Sequence, residues 1–328
     1  MTGLPLEFPP FAPRLPWWGP DLQTLRNFFA ARSGRRPHLD GERIHLAMDD
    51  GSGDRLAGLL TRSLSNKSLV VLIHGLTGCE TSMNMVRAAV HHHALGHPVL
   101  RLNLRGAGPS RVTCRGDYHA GCSQDLADAL SSLQKLAPDL VENGILISAV
   151  SLGANVMLKF LAEYGADVPV RAAASISAPI DLAASSHSVM RLRNRPYHRW
   201  LLNRMKIHRG AAELDPAERI ALERARTIYE FDDRFLAPRH GFEGATHYYT
   251  ESRASRYLEK IRTQTLIVHA QNDLWIPVAP YLSFNWSCNP YLTPLLPKAG
   301  GHVGFHDAGH DVSWHDRCAG DFFAAHSD

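Results

Sequence analysis

The sequence predicts an α/β fold: a mostly parallel sheet with helices on both faces and a helical cap inserted late in the chain. Three observations lead to it. Short apolar runs alternate with helix-length segments, and strand–helix–strand spacing of this kind sets parallel strands side by side under two helical layers. One serine stands at a strand-to-helix junction between small residues. An acid and then a glycine-flanked histidine follow that serine, each after an apolar stretch.

Residues 1–40 read as an irregular, proline-rich N-terminal arm. The segment from Arg43 to Arg62 reads as a hairpin, because two alternating stretches flank the turn-forming run Asp49-Asp50-Gly51-Ser52-Gly53-Asp54. Residues 69–73 form the first buried parallel strand. A helix over 84–94 ends near Gly96, and 98–102 is the next strand. Ser123 caps a helix to Leu136 that Pro138 stops. Strand 145–149 runs into helix 153–164, and 170–177 is a further strand. The core thus covers 41–180 and resumes over 253–328. Between them, over 181–252, apolar-strand signals stop, and the segment reads as helical pieces and loops that cap the core.

The serine is Ser151, in Ile145-Leu146-Ile147-Ser148-Ala149-Val150-Ser151-Leu152-Gly153-Ala154-Asn155. A sharp turn from strand to helix brings Ala149 and Gly153 close together, so both must be small, and it aims the hydroxyl into a cleft. A serine hydroxyl is a weak nucleophile and needs a base, which in turn needs an orienting carboxylate. Asp273 ends the apolar run Thr265-Leu266-Ile267-Val268 and its loop. His302 lies in Lys298-Ala299-Gly300-Gly301-His302-Val303-Gly304. The order Ser, acid, His is that of the α/β-hydrolases among serine-triad arrangements. Ser68-Leu69-Val70-Val71-Leu72-Ile73-His74-Gly75-Leu76 is a strand running into a glycine-bearing loop. An oxyanion is stabilised by backbone N–H groups, expected here at Leu152, just after the nucleophile, and at Leu76. Asp311 is a rival acid but follows the histidine. Asp232 and Asp233 read as cap or loop acids.

More specific motifs accompany these. They are Asn103-Leu104-Arg105-Gly106-Ala107-Gly108, Tyr118-His119-Ala120-Gly121 ahead of Asp125, and Trp17-Trp18-Gly19-Pro20-Asp21-Leu22-Gln23-Thr24. Phe231-Asp232-Asp233, Gly241-Phe242 and Tyr248-Tyr249-Thr250-Glu251-Ser252 precede the acid. Together they resemble the YheT-like branch of the α/β-hydrolases, over nearly the whole chain from Trp17. That resemblance implies esterases, lipid hydrolases or ester-forming acyltransferases. The chain departs from the branch in having Ala149 where Gly is usual and Asp21 where His is usual.

Composition narrows the partners. The chain has 328 residues, 45% of them hydrophobic, with a net charge of +3, too small to suggest nucleic acid. Its five cysteines are scattered without a Cys-x-x-Cys pair, as expected of reduced cytosolic thiols. No signal peptide and no run of the ~20 apolar residues that spans a bilayer is present, so a cytoplasmic protein is expected. Nineteen histidines invite a metal reading. However, His91-His92-His93 diverge on a helix, and glycines interrupt His302, His306 and His310. No His-Glu-x-x-His occurs, and neither metal nor cofactor is expected.

The resulting expectation is a serine hydrolase cleaving carboxylic esters of acyl or lipid-like substrates through Ser151, His302 and Asp273. One alternative passes the acyl group to an alcohol, and another is a binding protein without catalysis. The cap carries Arg191, Arg193, Arg195, Arg199, Arg204, Lys206 and Arg209 with no acid between Leu182 and Ala212. Trp200, Leu201 and Met205 lie among them and are candidate substrate-pocket residues. The basic side is either a solvated face or one that meets an anionic lipid surface.

Overall fold

The computed structural model describes residues 7–32 and 37–327. The remainder of the expected N-terminal arm, residues 1–6 and 33–36, lies outside the described residues. Eight strands make one sheet: β1 (Glu42–Ala47), β2 (Arg55–Thr61), β3 (Leu69–Ile73), β4 (Val99–Leu102), β5 (Ile145–Val150), β6 (Val170–Ile176), β7 (Gln264–Val268) and β8 (Leu292–Leu295). Their order is β1-β2-β4-β3-β5-β6-β7-β8. The expected hairpin is β1–β2, antiparallel from Glu42 opposite Leu60 to Ala47 opposite Arg55. The pair β2–β4 is also antiparallel, and every pair from β4 onward is parallel.

Strand periodicity divides the core into two layers. Leu69, Val71 and Ile73 of β3 face one side, where they pack with residues of α3 (Ser123–Leu136) and α5 (Leu152–Glu163), the one-turn helix α4 (Pro138–Val141) lying between those two in sequence. Val70 and Leu72 face the other, with residues of α2 (Met83–Ala94) and α13 (Trp314–Ala325). Because both faces are covered, β3 and β5 are buried at every position and read as unbroken apolar runs.

One expectation is corrected. The arm is not irregular throughout: α1 (Gly19–Arg32) is a helix of fourteen residues. Pro20 at its second position has no amide hydrogen to contribute, and its fixed φ suits a first turn, so the proline that suggested irregularity starts the helix.

The insertion is helical, as α6 (Leu182–Met190), α7 (Arg195–Gly210), α8 (Pro216–Arg224), α9 (Ile228–Phe231), α10 (Ala237–Arg239) and α11 (Ala245–Ser252), with a π-helical turn at Asp232–Leu236. The Asp181 side chain caps α6 by accepting from the Ala184 amide at 2.9 Å. Asn155 of α5 fastens the chain where it returns to the core: Nδ2 donates to the carbonyls of Ala120 at 2.9 Å and Ser252 at 2.8 Å, and Oδ1 accepts from the Ala254 amide at 2.9 Å. The Asn103–Gly108 motif is structural. Arg105 donates to Asp125 through two nitrogens and also to Asp54 and Asp50, tying the hairpin turn to α3. After β7 comes α12 (Ala279–Ser283). Among the described residues no helix is long and apolar enough to cross a membrane.

Candidate active site

Ser151 stands between β5 and α5 with φ +52° and ψ −125°, a backbone state that costs energy for any residue with a Cβ. The surroundings hold it there: the Ser151 amide donates to Ile176 O at 2.8 Å, and its carbonyl accepts from Ala154 and Asn155. Gly153 must be small because a Cβ there would meet the His74 carbonyl and Ile73 at the end of β3. Thr77, Ser177 and Val303 also have positive φ, so backbone strain gathers in the loops around the serine.

Residues far apart in sequence converge on this serine. Ser151 Oγ lies 3.0 Å from His302 Nε2, and His302 Nδ1 lies 2.8 Å from Asp273 Oδ2. The second carboxylate oxygen, Oδ1, accepts from the amides of Trp275 at 2.8 Å and Ile276 at 3.0 Å. Burial pushes the Asp273 pKa up, but the His302 ring, with smaller help from His269 and the Ile276 amide, outweighs it and holds the carboxyl below its ordinary value. The indole of Trp275 stacks on the His302 ring, with centroids 4.7 Å apart. The rival Asp311 is on the surface, paired with Arg14 at 2.7 Å. Asp233 accepts from the Ala245 amide at 3.0 Å.

The loop after β3 lies against Ser151, since a Cβ on Gly75 would stand 3.0 Å from Ser151 Cβ. His74 shapes this loop from beneath. Its Nε2 accepts from the Leu104 amide at 3.1 Å, which leaves the proton on Nδ1 to donate to Gly75 O at 2.8 Å. Burial depresses its pKa to about 4, so the ring stays neutral and keeps this tautomer. The Thr77 amide donates to Tyr118 Oη at 2.8 Å. Leu76 and Leu152 both line the cleft beside Ser151. Leu152 opens α5, so its N–H has no carbonyl acceptor one turn earlier within the helix.

The cleft has a volume of about 490 Å³. Trp200, Leu201 and Met205, predicted from sequence, line it together with Leu182 and Val189 of α6. Leu201 and Met205 are buried, while Trp200 is 43% exposed at the mouth. Three contributions escaped sequence reasoning. Thr24, Asn27 and Phe28 of α1 form part of the wall, as does Trp275. Asp232 lies in the cap segment, as expected, but it is a buried cleft residue: its Oδ2 accepts from Tyr249 Oη at 2.6 Å, and burial pushes its pKa up to about 7. The motifs around Trp17–Thr24, Phe231–Asp233 and Tyr248–Ser252 marked these places without indicating a role. Among the described residues no group of three or more His, Cys, Asp or Glu is placed to hold a metal ion.

A mostly parallel sheet whose central strand turns through a strained serine into a helix is the architecture of the α/β-hydrolases. Solved structures agree on the fold. The Pyrococcus furiosus esterase Pf2001 matches with a TM-score of 0.60 and 16% identity, over 98% of this chain and 100% of that one. A family profile described as serine aminopeptidase, S33, matches residues 65–285. The Escherichia coli (strain K12) protein YheT is 34% identical over 254 residues, covering 73% of this chain and 71% of YheT. The chain belongs to the YheT-like branch of the α/β-hydrolases. It is also 28% identical to a monoacylglycerol lipase of Saccharomyces cerevisiae over 73% of this chain and 55% of the lipase. To the mouse phospholipase ABHD3 it is 28% identical over 74% of this chain and 59% of that protein. It thus spans little more than half the length of these two relatives. Of the two departures from the branch, Ala149 is fully buried in β5, and Asp21 accepts from Tyr197 Oη at 2.6 Å and pairs with Arg193, joining α1 to the cap.

Proposed function

We propose that this α/β-hydrolase, a carboxylic ester hydrolase, cleaves acyl and lipid-like esters through Ser151, His302 and Asp273 by way of an acyl-enzyme. The reading is carried by one observation, the hydrogen-bonded chain from Ser151 Oγ through the His302 ring to Asp273 at the floor of an apolar cleft. His302 Nε2 takes the hydroxyl proton as Oγ adds to the ester carbonyl. The imidazolium that forms is stabilised by the Asp273 carboxylate, which its two backbone donors hold in place. The Leu152 and Leu76 amides meet the developing oxyanion. Collapse of the tetrahedral intermediate expels the alkoxide, which takes the proton from His302. Water then attacks the acyl-Ser151 ester with His302 again as base, releasing the acid and restoring the serine.

The apolar walls support an acyl chain as the occupant, and the lipase and phospholipase relatives support lipid-like esters. The test is labelling with a fluorophosphonate probe, followed by hydrolysis of a series of acyl esters. Probe attachment at Ser151 that abolishes turnover is the expected result. An active enzyme with an unlabelled Ser151, or full activity after Ser151→Ala, overturns the reading.

A further inference from the structure

The helix α1 carries an apolar stripe that stays partly open to solvent, although Phe29 stacks with Trp17. Trp18, immediately before it, and Leu22 and Phe29 within it are 59%, 40% and 47% exposed. Their spacing of four and seven residues sets them on one helical face. Leu15 is exposed just ahead of them. The opposite side of the same helix supplies Thr24, Asn27 and Phe28 to the cleft. The stripe is therefore at the rim of the site.

The cap forms the facing rim. Phe28 of α1 meets Trp200 of α7 with ring centroids 6.5 Å apart, and Asp21 bridges to Arg193 and Tyr197. Beside these contacts the cap exposes Arg191, Arg193, Arg195, Arg199 and Arg204, and among them Leu192 and Trp200. No acid falls between Leu182 and Ala212 to neutralise them, and of the five only Arg193 has an ion-pair partner among the described residues. Apolar side chains ringed by like charge at the opening of an apolar cleft are costly in water. Such a surface matches an interface that offers acyl chains beneath anionic head groups.

We propose that α1 and the arginine side of the cap form a docking face for an anionic phospholipid bilayer, seated around the mouth of the cleft. Trp18, Leu22 and Phe29 enter the acyl boundary while the arginines meet the head groups. Lipid esters then pass from bilayer to Ser151 without crossing water, a consequence that rests on the ester-hydrolase reading above. Docking itself does not rest on it.

Co-sedimentation separates the two. The full chain carrying Ser151→Ala, which leaves the lipid intact, is mixed with vesicles of phosphatidylcholine alone or with phosphatidylglycerol added. Binding to the anionic vesicles that weakens with salt is expected. Two further variants are compared, Leu22→Ser/Phe29→Ser and Arg191→Glu/Arg195→Glu/Arg199→Glu. Each should reduce partitioning by about tenfold or more. In the Ser151-containing protein, both should leave turnover of a short, water-soluble ester unchanged, which verifies folding. Failure to turn over that ester in the otherwise unmodified chain counts against the ester-hydrolase reading and leaves docking standing. Absence of vesicle binding, equal binding to both vesicle types, or a concentration-dependent dimer that Leu22→Ser/Phe29→Ser breaks while vesicles are ignored each overturns the docking face.

Discussion

Thr24 Oγ1 accepts the backbone N–H of His302 at 2.9 Å while donating its own hydrogen to Pro20 O at 2.7 Å. An N-terminal helix therefore holds the loop that carries His302, across almost the whole length of the sequence. The adjacent Gln23 strengthens the tie: its Oε1 accepts from the His306 amide at 2.7 Å, and its Nε2 donates to His306 O at 3.1 Å. The approach is close enough that glycine is required, since a Cβ on Gly301 would stand 2.6 Å from Pro20 O and one on Gly304 2.6 Å from Gln23 O. Thr24→Val keeps the shape and removes the acceptor. Displacing the histidine loop by a fraction of an ångström should lower kcat/KM for a soluble ester by about tenfold. Thr24→Ser should retain activity. A Val variant with unaltered kinetics would show that the loop holds itself.

Removal of the proposed nucleophile or base should be far more damaging. Ser151→Ala and His302→Ala are each expected to lower kcat by on the order of 10³-fold or more, and the double variant should be little worse, because the groups act as a unit. Single-turnover assays on the three proteins decide this. Strictly multiplicative losses would mean the two residues act independently.

Chain-length preference follows from the cleft walls. Each methylene buried against Leu201, Met205 and their neighbours contributes about 0.8 kcal/mol, so kcat/KM should rise about fourfold per methylene from acetyl to medium-chain esters until the cleft is filled. Trp200→Ala should flatten that rise more than it lowers acetyl-ester turnover. A lowered Tm with an unchanged chain-length profile would instead make Trp200 a packing residue.

Acid should destabilise the fold at a pH well above the range where ordinary, exposed carboxylates titrate. Burial holds His74 and His208 at about 4, His240 and His315 at about 3, and His306 at about 2, below the ordinary 6.5. These rings are neutral when folded and take up protons near 6.5 when unfolded. Below that pH the unfolded chain binds more protons, so stability is present above 6.5 and is lost as pH falls towards the folded values. Thermal melts should show Tm falling between about pH 7 and about pH 4.5.

Asp232 and Asp316 act with the opposite sign. Burial raises both to about 7, so their contribution is present below 3.8 and is lost as pH rises through 7. The histidines outnumber them, which sets the net slope. Asp232→Asn keeps an acceptor for Tyr249 and never ionises. Relative to the parent protein, its Tm should therefore improve more at about pH 8 than at about pH 5. An offset independent of pH would show that Asp232 does not titrate in this range.

The parts that were legible in sequence share a cause. Strands β3 and β5 are buried on both faces, so their apolar runs were unbroken. The turn at Ser151 was visible because a strand-to-helix turn tolerates only small neighbours, a constraint written within five residues. The order of Asp273 and His302 narrowed the choice further, since each ends an apolar strand or follows one. The cap was visible as a loss of strand signals, and Leu201 and Met205 as apolar residues on a basic segment.

What sequence could not supply depends on contacts between distant segments. Helix α1 was hidden behind the prolines that precede and open it, and its role beside His302 exists only once residues 278 positions apart are brought together. Asp232 read only as a cap or loop acid, because burial and the Tyr249 hydroxyl, which set its charge state, come from the folded chain. Local sterics and periodicity thus determined the strands, the turn at Ser151 and the order of Ser151, Asp273 and His302. Only tertiary packing decided which side chains close the cleft, which rings stay neutral and which apolar side chains of α1 remain exposed, because burial and electrostatics are properties of the assembled surroundings.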